Sequence, residues 1–134
     1  MITVDTSVVV AAFASWHEGH ASATATLARR PRLPAHVALE SFSVLTRLPA
    51  PHRAPPELVA EYLEAAFPAA PLTLSGRAQL ALVRLAARAG LAGGAIYDAL
   101  IAATAKQARA TLVTRDRRAL ATYEAVGARV EWLE

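Results

Sequence analysis

Only three aspartates occur among the 134 residues, Asp5, Asp98 and Asp116, and each stands where a carboxylate invites chemistry. Asp5 follows the apolar run Met1-Ile2-Thr3-Val4, and Asp116 lies just past Thr111-Leu112-Val113-Thr114, runs of the kind that form strands. Asp98 has Ile101 and Ala102 at i+3 and i+4, so a helix there turns it towards an apolar side. Glu40 repeats the pattern between Val37 and Val44. An unpaired carboxylate taken out of water costs several kcal/mol, so such groups need a cation, a metal or dense hydrogen bonding. Blander roles stand beside this one: Asp5 and Asp116 as helix N-caps, Asp98 as a first-turn acid on a helix dipole, either helix acid paired with an arginine.

The combination weighs more than its parts, because no aspartate is left for surface or turn duty. Four carboxylates brought together raise one another's pKa unless a multivalent cation neutralises them. The chain has no cysteine, which excludes disulfides, zinc–thiolate sites and thiol nucleophiles and leaves hard oxygen ligands. Such ligands select Mg²⁺ or Mn²⁺. A metal held this way activates water and offsets charge developing on a phosphate, so the reaction class is metal-assisted phosphodiester hydrolysis.

The elements that must position these acids follow from periodicity and punctuation. Strand, cap and helix are predicted over Met1–Phe13, a helix from about His20 to Arg30, and another over 35–48 that stops at Pro49. Four prolines between Pro49 and Pro56 make a stiff loop. Helices are expected over 57–67, over 76–89 with Ser75 and Gly90 as its caps, and over 95–108. A strand at 111–114, a helix from Asp116 to about Ala125 and a strand at 128–132 complete the chain. Short strands are also expected at Leu33 and within Pro68–Leu74. This alternation predicts an α/β domain spanning residues 1–134, with a central parallel β-sheet flanked by helices on both faces. Ligands of such sheets bind beyond the carboxyl ends of the strands, where Asp5 and Asp116 fall.

Hydrophobic residues at 54% and charged residues at 19% exclude disorder. No apolar run is long enough for a membrane span, and the opening residues lack a leader pattern, so a soluble cytoplasmic protein is expected. Other chemistries fit poorly. An aspartyl phosphotransferase would place a second Asp at position 7, where Ser7 stands, and a receiver domain needs paired acids that Asp5 lacks. Gly90 to Gly94 has no phosphate-loop spacing.

Four segments together resemble the PIN-domain ribonucleases, and among them the small bacterial toxins of VapC type. They are Ile2-Thr3-Val4-Asp5-Thr6-Ser7, the stretch Ala38 to Leu45 around Glu40, the stretch Ile96 to Ala105 around Asp98, and Leu112-Val113-Thr114-Arg115-Asp116-Arg117-Arg118. Their order and spacing agree over essentially the whole chain. The resemblance implies that Asp5, Glu40, Asp98 and Asp116 form an acidic metal site, with Thr6 and Thr114 as supporting hydroxyls. It also implies RNA cleavage, homodimerisation, and neutralisation by a cognate antitoxin whose C-terminal segment covers the groove. One departure is Ala119 followed by Leu120 where family members often carry Phe, a position that reads as packing. The competing reading is a catalytically silent PIN-like module that binds RNA or regulates.

Setting the four acids aside leaves seven acidic residues against 14 basic ones, a surplus of seven positive charges suited to RNA phosphates. Arg115, Arg117 and Arg118 lie nearest the last acid and are the RNA-binding candidates, against a bland role as solvated arginines. His17 and His20 have i, i+3 metal-ligand spacing but no third ligand nearby. Trp16 and Trp132 offer faces for bases or anchors for packing.

Overall fold

The computed structural model describes residues 1–134. Three short strands form the sheet: β1 (Ile2–Val4), β2 (Thr111–Thr114) and β3 (Arg129–Trp132). All pair in parallel in the order β1-β2-β3, with Val4 beside Val113 and Thr114 beside Trp132. Successive strand residues point to opposite faces, and Leu112 and Val113 are both fully buried, so helices cover the sheet on both sides. Apolar β-branched and Leu side chains supply that burial, each contributing about 1.5–3 kcal/mol.

Between the strands run α1 (Thr6–Phe13), α2 (His20–Leu27), α3 (Ala35–Thr46), α4 (Pro56–Ala66), α5 (Gly76–Ala89) and α6 (Ala95–Gln107). A 3₁₀ turn (Arg117–Ala119) and α7 (Leu120–Val126) join β2 to β3. The strands expected at Leu33 and within 68–74 are reduced to single bridges, Thr3 with Arg32 and Pro34 with Leu72. Pro31, Pro34, Pro68 and Pro71 have no N–H to donate, so the few bonds made here, such as Leu72 N–H to the Leu33 carbonyl at 2.8 Å, do not extend into a ladder. The helix expected from Asp116 begins instead as a 3₁₀ turn, because the Asp116 carboxylate takes the Arg118 N–H at 3.0 Å and tightens it. α2 ends three residues before Arg30, where the backbone turns left-handed at φ 57°. Gly90 closes α5 at φ 71°, the conformation glycine adopts without strain.

The core joins Val4, Val8, Val9, Leu112 and Val113 to Ala99, Ile101 and Ala102 of α6 and Tyr123 of α7. This packing brings residues at the start of α1, in the first turn of α6 and just before the 3₁₀ turn to one pocket. Ala119 is fully buried, so the family departure there is a matter of packing. No helix is long and apolar enough to cross a membrane.

Candidate active site

β1 is followed directly by Asp5, whose N–H still reaches the Val113 carbonyl at 3.3 Å and whose carboxylate caps α1. That carboxylate is only 2% exposed. Oδ1 accepts from the Ser7 hydroxyl at 2.5 Å and from the Val8 N–H at 3.4 Å, while Oδ2 accepts from Thr114 and from Tyr123 at 2.8 Å. Both oxygens therefore carry two donors, the full capacity of a carboxylate. Burial raises the Asp5 pKa and the four hydrogen bonds oppose that rise, with burial the larger influence. The same burial, joined by the charge of Asp5, pushes the Tyr123 phenol far above its ordinary 10.0 and keeps it a donor.

Thr114 and Ser7 each serve two partners. Thr114 donates to Asp5 and accepts the Asp116 N–H at 3.0 Å, tying the two strand-end acids through one hydroxyl. Ser7 donates to Asp5 and accepts the Arg115 N–H at 2.8 Å. Thr6 donates to Oε1 of Glu40, and His36 Nε2 stands 3.5 Å from the other oxygen of that carboxylate. Asp116 both caps the 3₁₀ turn and faces the pocket, so the capping and site roles coexist in one side chain.

All four acids line one pocket of about 450 Å³, with Val10 and Val44 on its apolar side. Asp98 differs from the rest in accepting no hydrogen bond from the protein. Its pKa is raised first by partial burial and then by Glu40, Asp116 and Asp5, with Arg118 pulling the other way. The four acids expected from the sequence thus share one pocket, although no three Asp, Glu or His side chains converge tightly enough to hold an ion by themselves. The donor set is nonetheless all hard oxygen, and Mg²⁺ commonly takes one or two carboxylates plus water and phosphate oxygens. Asp98 and Asp116 fit that requirement, while Asp5 has its lone pairs filled.

The basic candidates part company. Arg115 and Arg118 line the pocket. Arg118 is highly exposed and reaches Asp116 at 3.3 Å, a contact of little worth in solvent. Arg115 lies over Gly19 with its Nε buried and without a partner, an orphaned cationic donor beside an acidic pocket. Arg117, expected among the RNA contacts, is instead held 4.3 Å over the Trp132 ring and does not line the pocket. His17 and His20 do not form a metal pair: Nδ1 of His17 accepts the Gly19 N–H at 2.9 Å, and Nδ1 of His20 is 3.0 Å from the Ala11 carbonyl. The sequence reading missed Ser7, His17, Arg47 and Tyr123 as pocket residues. Ser7 could have been found from its place two residues after Asp5, whereas Tyr123 is brought in only by the packing of α7.

A parallel three-stranded sheet carrying acids at its carboxyl edge agrees with the PIN domain family model, which matches residues 2–125, and the chain belongs to that family. Its sequence relatives narrow the placement to the VapC branch. It is 49% identical over 131 residues to Ribonuclease VapC40 of Mycobacterium tuberculosis, covering 98% of both chains. It is 45% identical over 130 residues to Ribonuclease VapC27 of the same species, covering 96% of this chain and 94% of the relative. The fold is shared with FitAcB from Neisseria gonorrhoeae, at a TM-score of 0.70 and 24% identity over 97% of this chain and 96% of that one. It is shared equally with FitAB bound to an IR36 DNA fragment, at a TM-score of 0.70 and 22% identity over 98% and 94%.

Proposed function

We propose that this protein is a Mg²⁺- or Mn²⁺-dependent endoribonuclease, the toxin of a toxin–antitoxin pair. The observation that carries the reading is Asp98: a half-buried carboxylate with no hydrogen bond, facing three other acids in a pocket edged by Arg47, Arg115 and Arg118. Such an arrangement is unfavourable alone and favourable once a divalent cation and a phosphate enter it. The ribonuclease names of VapC40 and VapC27 support the same activity here.

Asp98 and Asp116 would hold the cation, with Glu40 at its side and Asp5 as a fixed charge behind them. Bound there, the cation would supply a water of lowered pKa and neutralise charge on the scissile phosphate. The chain's own groups do the rest. Ser7, Thr114 and Tyr123 lock Asp5 in orientation, and Thr6 fixes Glu40. Arg115 and Arg118 hold phosphate oxygens. His17 is the one histidine lining the pocket, so the usual pair of imidazoles for 2′-hydroxyl attack is not assembled there. The products should carry a 5′-phosphate and a 3′-hydroxyl.

The antitoxin would reach the acids with an Arg or Lys, which supplies the cation's charge among the carboxylates. A homodimer acting in the cytoplasm completes the proposal. The test is purified protein on a panel of structured RNAs with and without chelator, followed by end-group analysis. Metal-dependent cleavage leaving 5′-phosphates is expected. Cleavage that persists in chelator, or ends in 2′,3′-cyclic phosphate, overturns the mechanism, and RNA bound but never cut leaves the silent module.

A further inference from the structure

Helix α3 carries His36, Glu40 and Val44 at four-residue spacing, and Arg47, its C-cap, follows three residues on. From His36 to Arg47 the helix rises about 16 Å. Each end carries a stacked aromatic pair. At the first end the His36 ring lies parallel to Tyr97, with centroids 5.3 Å apart and 4° between planes. At the other, five residues past Arg47, His52 stacks on Trp16 with centroids 3.9 Å apart and 30° between planes. Trp16 also abuts His17, a lining residue of the acidic pocket, at 5.9 Å.

Both pairs keep a large aromatic face in solvent: Trp16 is 51% exposed and Tyr97 53%. A shallow groove of about 330 Å³ is lined by His36, Tyr97, Glu40 and Arg47, the last two shared with the acidic pocket. Trp132, the other tryptophan, has its ring capped by Arg117.

We propose that these two stacks are base-binding platforms, one on each side of the scissile phosphate, so that α3 is the track along which single-stranded RNA crosses the site. The proposal rests on the nuclease reading above for the class of ligand and adds where its bases go. Every nucleobase has a π-face, and stacking on an exposed aromatic ring is the sequence-tolerant way to hold unpaired RNA. The surroundings of Trp16 favour a base over an aliphatic side chain of a protein partner. Its ring neighbours are imidazoles, and the pocket that His17 lines beside it is also lined by Arg47, Arg115 and Arg118, a setting of π-faces and positive charge.

Trp132→Phe leaves Trp16 as the one tryptophan, so its fluorescence reports on that platform alone. In Ca²⁺, single-stranded oligoadenylate should quench it saturably, and the same backbone without bases should not. Trp16→Ala and Tyr97→Ala, each measured by oligoadenylate affinity, should weaken binding about fivefold or more, while Trp16→Phe and Tyr97→Phe keep it. Circular dichroism checks that each variant is folded, which the exposure of both side chains favours. No quenching, equal quenching by the base-free backbone, or alanine variants that bind RNA like the parent overturn the platforms. So does a loss confined to binding of a protein inhibitor. Cleavage in Mg²⁺ is scored separately: base-dependent quenching without cleavage keeps the platforms and removes the nuclease, and cleavage indifferent to both rings does the reverse.

Discussion

The Tyr123 hydroxyl donates to Oδ2 of Asp5 at 2.8 Å, joining α7 to the end of β1 across 118 positions of sequence. Both groups are buried, so neither has water as an alternative partner. Tyr123→Phe removes one of four donors from a desolvated carboxylate and should lower stability by about 1.5–3 kcal/mol, the range for hydrogen bonds to charged groups. Urea unfolding measures this. The loss should shrink in an Asp5→Asn background, because the partner charge is then gone, and equal losses in both backgrounds would deny the coupling.

Gly19 has its own strict neighbour. A methyl group there would collide with the Arg115 guanidinium, so Gly19→Ala must displace that side chain from the pocket wall. If Arg115 holds a phosphate, Gly19→Ala and Arg115→Ala should weaken RNA binding similarly. Each should reduce the slope of log affinity against log salt by roughly 0.7, the loss of one phosphate contact to a single strand. Arg117→Ala, which removes a side chain resting on Trp132, should leave that slope unchanged. Titrations at several salt concentrations decide, and an unaltered slope in Arg115→Ala would remove Arg115 from the RNA path.

The acids were legible in the sequence because each broke a local rule. Asp98 stood beside Ile101 and Ala102, Glu40 lay between Val37 and Val44, and two aspartates followed apolar strands, whatever the rest of the fold. The helices at 76–89 and 95–107 were equally plain, one through Ser75 and Gly90 and the other through its apolar run. What stayed hidden depends on contacts between distant segments. Tyr123 reaches Asp5 through the packing of α7, and Trp16 meets His52 because two loops converge at one end of α3. The isolated bridges at Arg32 and Leu72 were overcalled as strands, since apolar pattern was weighed there without the missing proline N–H groups.

Thr6 donates to Glu40 and so fixes the acid that α3 brings to the pocket. Thr6→Val keeps the shape and removes the donor. Cleavage should fall roughly tenfold or more while the fold persists, because a loosened carboxylate costs alignment rather than core packing. Thr6→Ser should restore most of the rate. A valine variant with unchanged kcat/KM would make Thr6 a helix residue and nothing else.

Asp98→Asn tests the site most directly, because activity and stability should move in opposite directions. Burial and then Glu40, Asp116 and Asp5 raise the Asp98 pKa above its ordinary 3.8, so the native state binds that proton more tightly than the unfolded chain does. Stability therefore declines as pH rises from below 3.8 through the native pKa, and the deficit persists above it. Asparagine keeps the size and omits the charge. Near pH 7 the variant should have the higher Tm, and the gap should close as pH approaches 3.8, where the native carboxyl is itself protonated. Added Mg²⁺ should raise the Tm of the parent more than that of the variant, since an ion bound by the folded state stabilises it by mass action. RNA cleavage should drop by orders of magnitude in the same protein. Thermal melts across pH, with and without Mg²⁺, are read beside the cleavage rate. A variant that melts lower at pH 7, or that cleaves like the parent, would take Asp98 out of the catalytic site.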